Sequence, residues 1–415
     1  MKSLLPSNIR SELHNIHNKI GKETKPTWIT PNSHTINIFS KMYQEIVGAF
    51  ACAPIPNILK NESIIMKQSN YMYIPDEIRD SIGPIKLDAS KKMVVPPFLC
   101  KIPLPRNRRV IHVAIWGANN KREAIICSYK IGQWFTYLDK HLKFSPSCSQ
   151  DLTIFLFLTN KTKKFKGAGA GTFPQELDRS SVNSAFTYGC IPSNEIYVFR
   201  KEEWFKVLIH ESFHSLGIDF SNLNNQEDIT KRIIETTFHG IECEDLRLYE
   251  AYTEFWAEIY NTLISIYEKT GRKEFDAIVQ KKVDLSIKME LIWSLVQCNK
   301  VLSHYQISYQ DLFTKKMKKY REKETQVFSY YILKSILYVY YQAFMKWSCS
   351  SMQDSVIECV VFDQKKMSKF LQFIHTSSTN SFYRTILGFV ELHMGPLLRN
   401  HKSLAMSLWG KYMIL

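Results

Sequence analysis

The chain has 415 residues, enough to bury a large core divided into two or three subdomains, and its 45% hydrophobic and 13% aromatic content excludes a disordered protein. A formal net charge of +15 admits an acidic partner. However, the basic residues fall in short clusters, at Arg106, Arg108 and Arg109, at 161–166 and at 315–323. That excludes a long basic tail and predicts a solvated surface with at most nonspecific nucleic-acid contact.

Taken in order, residues 1–100 predict a mixed helical and extended N-terminal region. Its start, MKSLLPSNIR, carries no apolar run of signal-peptide length, so no leader is expected. An amphipathic helix is predicted over Ile36–Phe50, followed by connections interrupted at Pro54, Pro56, Pro75 and Pro84. The run from Val94 to Phe98, with Pro103 and Pro105 after it, reads as a linker. From Arg109 the pattern turns to strands, Val110–Gly117 and Thr153–Thr159, with a helix over Glu123–His141 between them. The second strand is apolar enough to be central. Gly167, Gly169 and Gly171 lack the G-K-[ST] ending of a phosphate loop and predict a flexible loop, a candidate lid. Nine cysteines stand singly with no C-x-x-C pair, which predicts a reducing compartment and mostly small buried apolar side chains.

Ile196–Phe199 reads as a strand leading into a helix that carries HESFH, His210 to His214. On a helix the two histidines stand one turn apart on one face, so both imidazoles can meet one metal ion, with Glu211 beside them as a base for water. Phe205, Leu208, Ile209, Phe213 and Leu216 form the apolar stripe next to that face, and Gly217 is a fitting stop. A catalytic zinc site needs a third ligand and an open position. The extended pattern H-E-x-x-H-x-x-G-x-x-H fails here, because Phe220 stands where its last histidine belongs and Asp219 falls one residue short. A second helix, 247–264, stacks Glu250, Glu254 and Glu258 at four-residue spacing. Three such carboxylates repel one another unless a cation faces them. His239, His304, His375 and His393 are isolated, and His239, Tyr249 and Tyr252 are candidates for an oxyanion donor.

This pairing of HExxH with a downstream glutamate helix resembles the zincin metallopeptidases of the gluzincin type, the group that includes thermolysin. The resemblance implies one Zn2+ per chain held by His210, His214 and Glu250, with Glu254 orienting a ligating histidine; Glu254 as ligand with Glu258 as orienter is the open alternative. It implies peptide-bond hydrolysis with Glu211 as general base. Asn183, Ala185 and Phe186 resemble the strand that holds an extended peptide substrate in thermolysin-like enzymes, with Ser184 inserted. The run from Val182 to Phe220 also resembles uncharacterised zincin-like proteins of large nucleocytoplasmic DNA viruses, which implies a viral protein in the host cytoplasm or the virion.

After Ile264 the chain predicts helices. Val327–Met345 is the most membrane-like segment, but Lys334 and five tyrosines make it a buried helix and not a span. Residues 315–323 read as a basic connection. The expected architecture is α+β and zincin-like, a small mixed sheet packed on the HExxH helix, with residues 101–270 as catalytic core and 271–415 as a helical C-terminal subdomain. Two further functions remain open, a catalytically weak zincin-fold scaffold or interaction protein and a basic nucleic-acid-binding protein.

Overall fold

Six strands form one mixed sheet: β1 (Asn57–Ile58), β2 (Phe98–Leu104), β3 (Arg109–Trp116), β4 (Asp151–Phe157), β5 (Ala185–Thr187) and β6 (Ser193–Val198), in the order β1-β2-β3-β4-β6-β5. The computed structural model describes residues 7–23, 28–59, 68–82, 98–165, 176–243, 245–315, 320–323, 325–350 and 354–408. The glycine-rich loop predicted as a lid lies outside them.

β3, β4 and β6 run parallel, which places Val113, Ile154 and Ile196 in one row across the sheet. That row joins the main core. The opposite face is aromatic: Phe155 stacks on Tyr197 at 4.7 Å between ring centroids, and Tyr197 on Phe186 at 4.6 Å. Strands apolar on both faces are the mark of a parallel sheet covered on both sides, and β4 is central as its composition predicts. β5 pairs antiparallel with β6 and is the sheet's edge.

The predicted linker needs correction, because β2 begins at Phe98 and includes Pro103, opposite Val110 of β3. Proline is tolerated there since β1 reaches only Lys101 and Cys100, leaving β2 an edge strand at Pro103.

α1 (Ser7–Glu23) and α2 (Ser33–Phe50) contribute to the main core, whereas the segment of α3 (Gln68–Tyr71) and α4 (Asp76–Ile82) covers the aromatic face of the sheet through Ile74, in the turn between them, and Ile78 of α4. α5 (Lys121–His141) connects β3 to β4, and the single turn α6 (Arg179–Val182) precedes β5. After β6 the chain enters α7 (Trp204–Leu216), which ends at Gly217 with φ +66°, and α8 (Gln226–Thr236) follows. The strand β7 (Ile241–Cys243) leads to α9 (Leu248–Thr270), buried at every position from Leu248 to Ile266. A helix buried all round lies at the centre of a fold, so its glutamates do not form the solvated acidic face common elsewhere.

The C-terminal part is helical: α10 (Ala277–His304), a π-helical turn (Phe328–Leu333), α11 (Lys334–Val339), α12 (Tyr341–Ser348), α13 (Val356–Val360), α14 (Met367–Thr379), α15 (Ser381–His393) and α16 (Pro396–Asn400). The membrane-like segment is buried as expected but is not one helix, since π geometry opens it and Tyr340, at ψ 25°, separates α11 from α12. Among the described residues no helix is long and apolar enough to cross a membrane.

The basic connection is also corrected, because Tyr320–Glu322 forms a strand, β8, parallel to β7. Tyr320 and Glu322 point inward while Arg321 faces out toward Glu242 at 3.1 Å, so the basic composition concealed an alternation. Cys148 and Cys190 form a disulfide, where singly spaced cysteines predict free thiols. They meet because the start of β4 pairs with the start of β6, Asp151 opposite Ser193. Cys100, Cys127, Cys298, Cys349 and Cys359 are buried thiols, as predicted. One continuous apolar cluster runs from Ile9 to Leu408 through all three predicted segments.

Candidate metal centre

α7 packs against α9, with Lys206, His210 and His214 of one helix meeting Glu254 and Glu250 of the other in opposite order. His210 Nε2 lies 2.9 Å from Glu250 Oε2 and 2.9 Å from His214 Nε2, which is itself 3.4 Å from Glu250 Oε2. All three side chains are buried. Their donor atoms form the one group among the described residues that can hold a metal ion.

The far nitrogens explain why. His210 Nδ1 is 2.9 Å from Glu254 Oε2, and His214 Nδ1 is 2.5 Å from Asp219 Oδ2. An ionised carboxylate only accepts, so each Nδ1 donates a proton and each Nε2 is left to face the other and Glu250. Lone pairs and a carboxylate converging this closely require positive charge at their centre. Burial alone would lower the basicity of both imidazoles, yet hydrogen bonds to Glu250 and Glu254 raise His210, and the charges of Asp219 and Glu250 raise His214 well above its usual range. The same two histidines draw the Glu250 carboxyl far down against the cost of burial. A divalent cation meets that demand with all three donors at once, so the residues fit a metal.

Deeper in, Glu254 spends its second oxygen on Lys206, and Lys334 pairs with Glu258 at 2.6 Å. These lysines are the cations that the acidic stack required. Asp219 is fixed in turn by Thr253 Oγ1 at 3.1 Å and Ser221 Oγ at 2.7 Å.

The centre opens on a cleft of about 560 Å³, lined among others by Glu211, His214, Glu250, Asn183, Ala185 and Phe186. Of the residues predicted to hold a substrate, Ala185 and Phe186 lie on β5 and Asn183 just before it, all on the wall of the same cleft. Burial pushes the Glu211 carboxyl up to about 7, with the two imidazoles opposing. Of the oxyanion candidates, Tyr249 lines the cleft. The other two are elsewhere: Tyr252 donates to Val360 O at 2.6 Å, and His239 sits in the turn before β7, away from the cleft lining. Tyr330 also lines the cleft, its hydroxyl donating to Glu250 Oε2 at 2.9 Å.

Sequence reasoning missed Asp219, Lys206 and Tyr330. Asp219 had a signal, five residues past His214, and was weighed only as a ligand. Tyr330 had none, being 80 residues from Glu250. Comparison with family models, with curated proteins and with solved structures finds no match for this chain.

Proposed function

We propose that this chain is a zinc-dependent peptidase with a zincin-type core of the gluzincin kind. The observation that carries the reading is the convergence of His210, His214 and Glu250 from two packed helices, with Glu211 on the wall of the same cleft as the edge strand β5. Zinc held by those three residues supplies electrophilic assistance to a carbonyl group and eases the ionisation of water.

The chain's own groups do the rest. Glu211 accepts a proton from the attacking water and passes it to the leaving amine. β5 pairs with β6 along one edge, so an extended peptide adds along the other by backbone hydrogen bonds. Tyr330, whose hydroxyl donates to Glu250 Oε2, would turn that one proton from Glu250 to the oxyanion as charge develops. Asp219 and Glu254 hold the two imidazoles in orientation.

Elemental analysis of protein purified without a histidine tag should read one zinc per chain in wild type and none in His214→Ala. Glu211→Gln should keep the zinc and lose about a hundredfold or more in turnover of a mixed fluorogenic peptide library. Folded wild type without stoichiometric metal would overturn the reading. A Glu211→Gln variant as active as wild type would leave a metal-bearing scaffold in its place.

A further inference from the structure

We infer a second ligand site, for a small phosphate-bearing molecule, in the cavity between the C-terminal end of α10, Phe165 and the segment from Arg399 to Lys402. The cavity holds about 350 Å³ and shares no lining residue with the metal cleft. Five of its lining residues are cations or become so on protonation, Lys300, His304, Arg399, His401 and Lys402, against one carboxylate, Glu391.

Lys300 carries the argument. Four lysines are buried among the described residues, and three of them meet a glutamate: Lys163 with Glu203, Lys206 with Glu254, Lys334 with Glu258. Lys300, only 6% exposed, lines a cavity instead. Its ammonium donates to Gln297 Oε1 at 2.9 Å and to Ser403 O at 2.7 Å, both neutral acceptors. It also stands 5.3 Å from the centre of the Phe165 ring, another lining residue. A buried ammonium without a counter-charge is costly, and burial accordingly lowers its pKa to about 7. An anion in the cavity supplies what the glutamates supply to the other three lysines.

The bland account is that cations here merely complement the C-terminal dipole of α10. Lys300 is not spent that way, since its backbone partner is Ser403 in the segment opposite. That segment is held in place by Phe165 N donating to Lys402 O at 2.9 Å and Leu404 N to Lys163 O at 3.0 Å, so the cavity floor is built. Arg399 gives Nε to Met394 O and Nη2 to Glu391 O at the end of α15 and so adds mainly its charge, and a concave set of lysine and histidine donors beside that charge suits phosphate. A nucleic-acid strand would need a stripe of cations along a surface, and these are gathered in a pocket.

The test is isothermal titration calorimetry on the full chain with inorganic phosphate, AMP and a short single-stranded oligonucleotide. Phosphate or AMP should bind one to one, equally well in His214→Ala, which excludes capture at the metal centre. Binding should weaken roughly tenfold or more in Lys300→Met and in Lys402→Glu. Lys402 is exposed, so its variant tests the site even where loss of Lys300 disturbs folding. Absence of binding by both small probes, binding unchanged in both lysine variants, or binding of the oligonucleotide alone would overturn the inference.

Discussion

Glu250 and Glu258 are the same residue type two turns apart on α9, both buried, and they have opposite surroundings. Glu250 faces two imidazoles and a phenol, with no ammonium, and keeps its charge for something at the cleft. Glu258 faces Lys334 at 2.6 Å, deep in the core and away from the cleft lining. Glu254, midway, divides its two oxygens between His210 and Lys206. On the proposed reading the role passes along one helix face from ligand through orienter to counter-ion, and the partner helices decide which, since the spacing of the glutamates is uniform.

The largest effects should separate the three positions by metal affinity, read by competition with a chromophoric chelator. Glu250→Gln should abolish stoichiometric binding. Glu254→Gln and Asp219→Asn, which release His210 and His214 from their orienting carboxylates, should each weaken it about 10- to 100-fold. Glu258→Gln should leave it unchanged. Loss of metal in Glu258→Gln comparable to that in Glu250→Gln would break the division.

Stability should reverse the ranking. Lys334→Met leaves Glu258 buried without its cation and should cost about 3–5 kcal/mol in urea unfolding. Burial, with Glu254 and Glu290 adding and Lys334 opposing, already holds the Glu258 carboxyl well above its usual range. A group raised on folding contributes stability that is fully present below its unfolded pKa and lost as pH rises toward the folded one. Lys334→Met raises the folded value further; both chains lose stability alike up to the wild-type folded value, so the deficit against wild type should grow with pH only above it. A deficit that shrinks with rising pH would mean that Glu258 is not the group left uncompensated.

How much of this was legible follows from the same helices. K-x-x-x-H-x-x-x-H from Lys206 to His214 and E-x-x-x-E from Glu250 to Glu254 are both plain in the sequence, and they match once α7 and α9 lie antiparallel. The histidines and Glu250 were legible because metal chemistry restricts residue type and spacing together. Lys206 was not, since a lysine in a helix is usually a surface residue and only pairing with α9 buries it. Lys334 was read as a mark of burial, but its partner could not be named, because nothing local fixes how the third helix crosses α9. The strands β3, β4 and β6 were legible from their alternation and apolar runs. β2 was hidden by Pro103, which sits beyond the reach of β1, and β8, a three-residue strand, by its basic neighbours, since both compositions argue for loops.

The smallest effect on stability should come from Tyr330→Phe, and it is the sharpest test of the two ends. Tyr330 occupies toward Glu250 the place that Lys334 occupies toward Glu258, four residues along the same stretch of chain. If the cleft end is built to leave Glu250 its charge, a phenol is a lender of one hydrogen bond and not a counter-ion. Water in the cleft can replace that bond, so the variant should lose only about 1 kcal/mol of stability and keep its metal. Turnover should still fall about a hundredfold, because water does not replace a fixed donor at a developing oxyanion. A loss of stability as large as that in Lys334→Met would show the cleft end to be as closed as the buried end, and the contrast between Glu250 and Glu258 would then be one of partner alone and not of access.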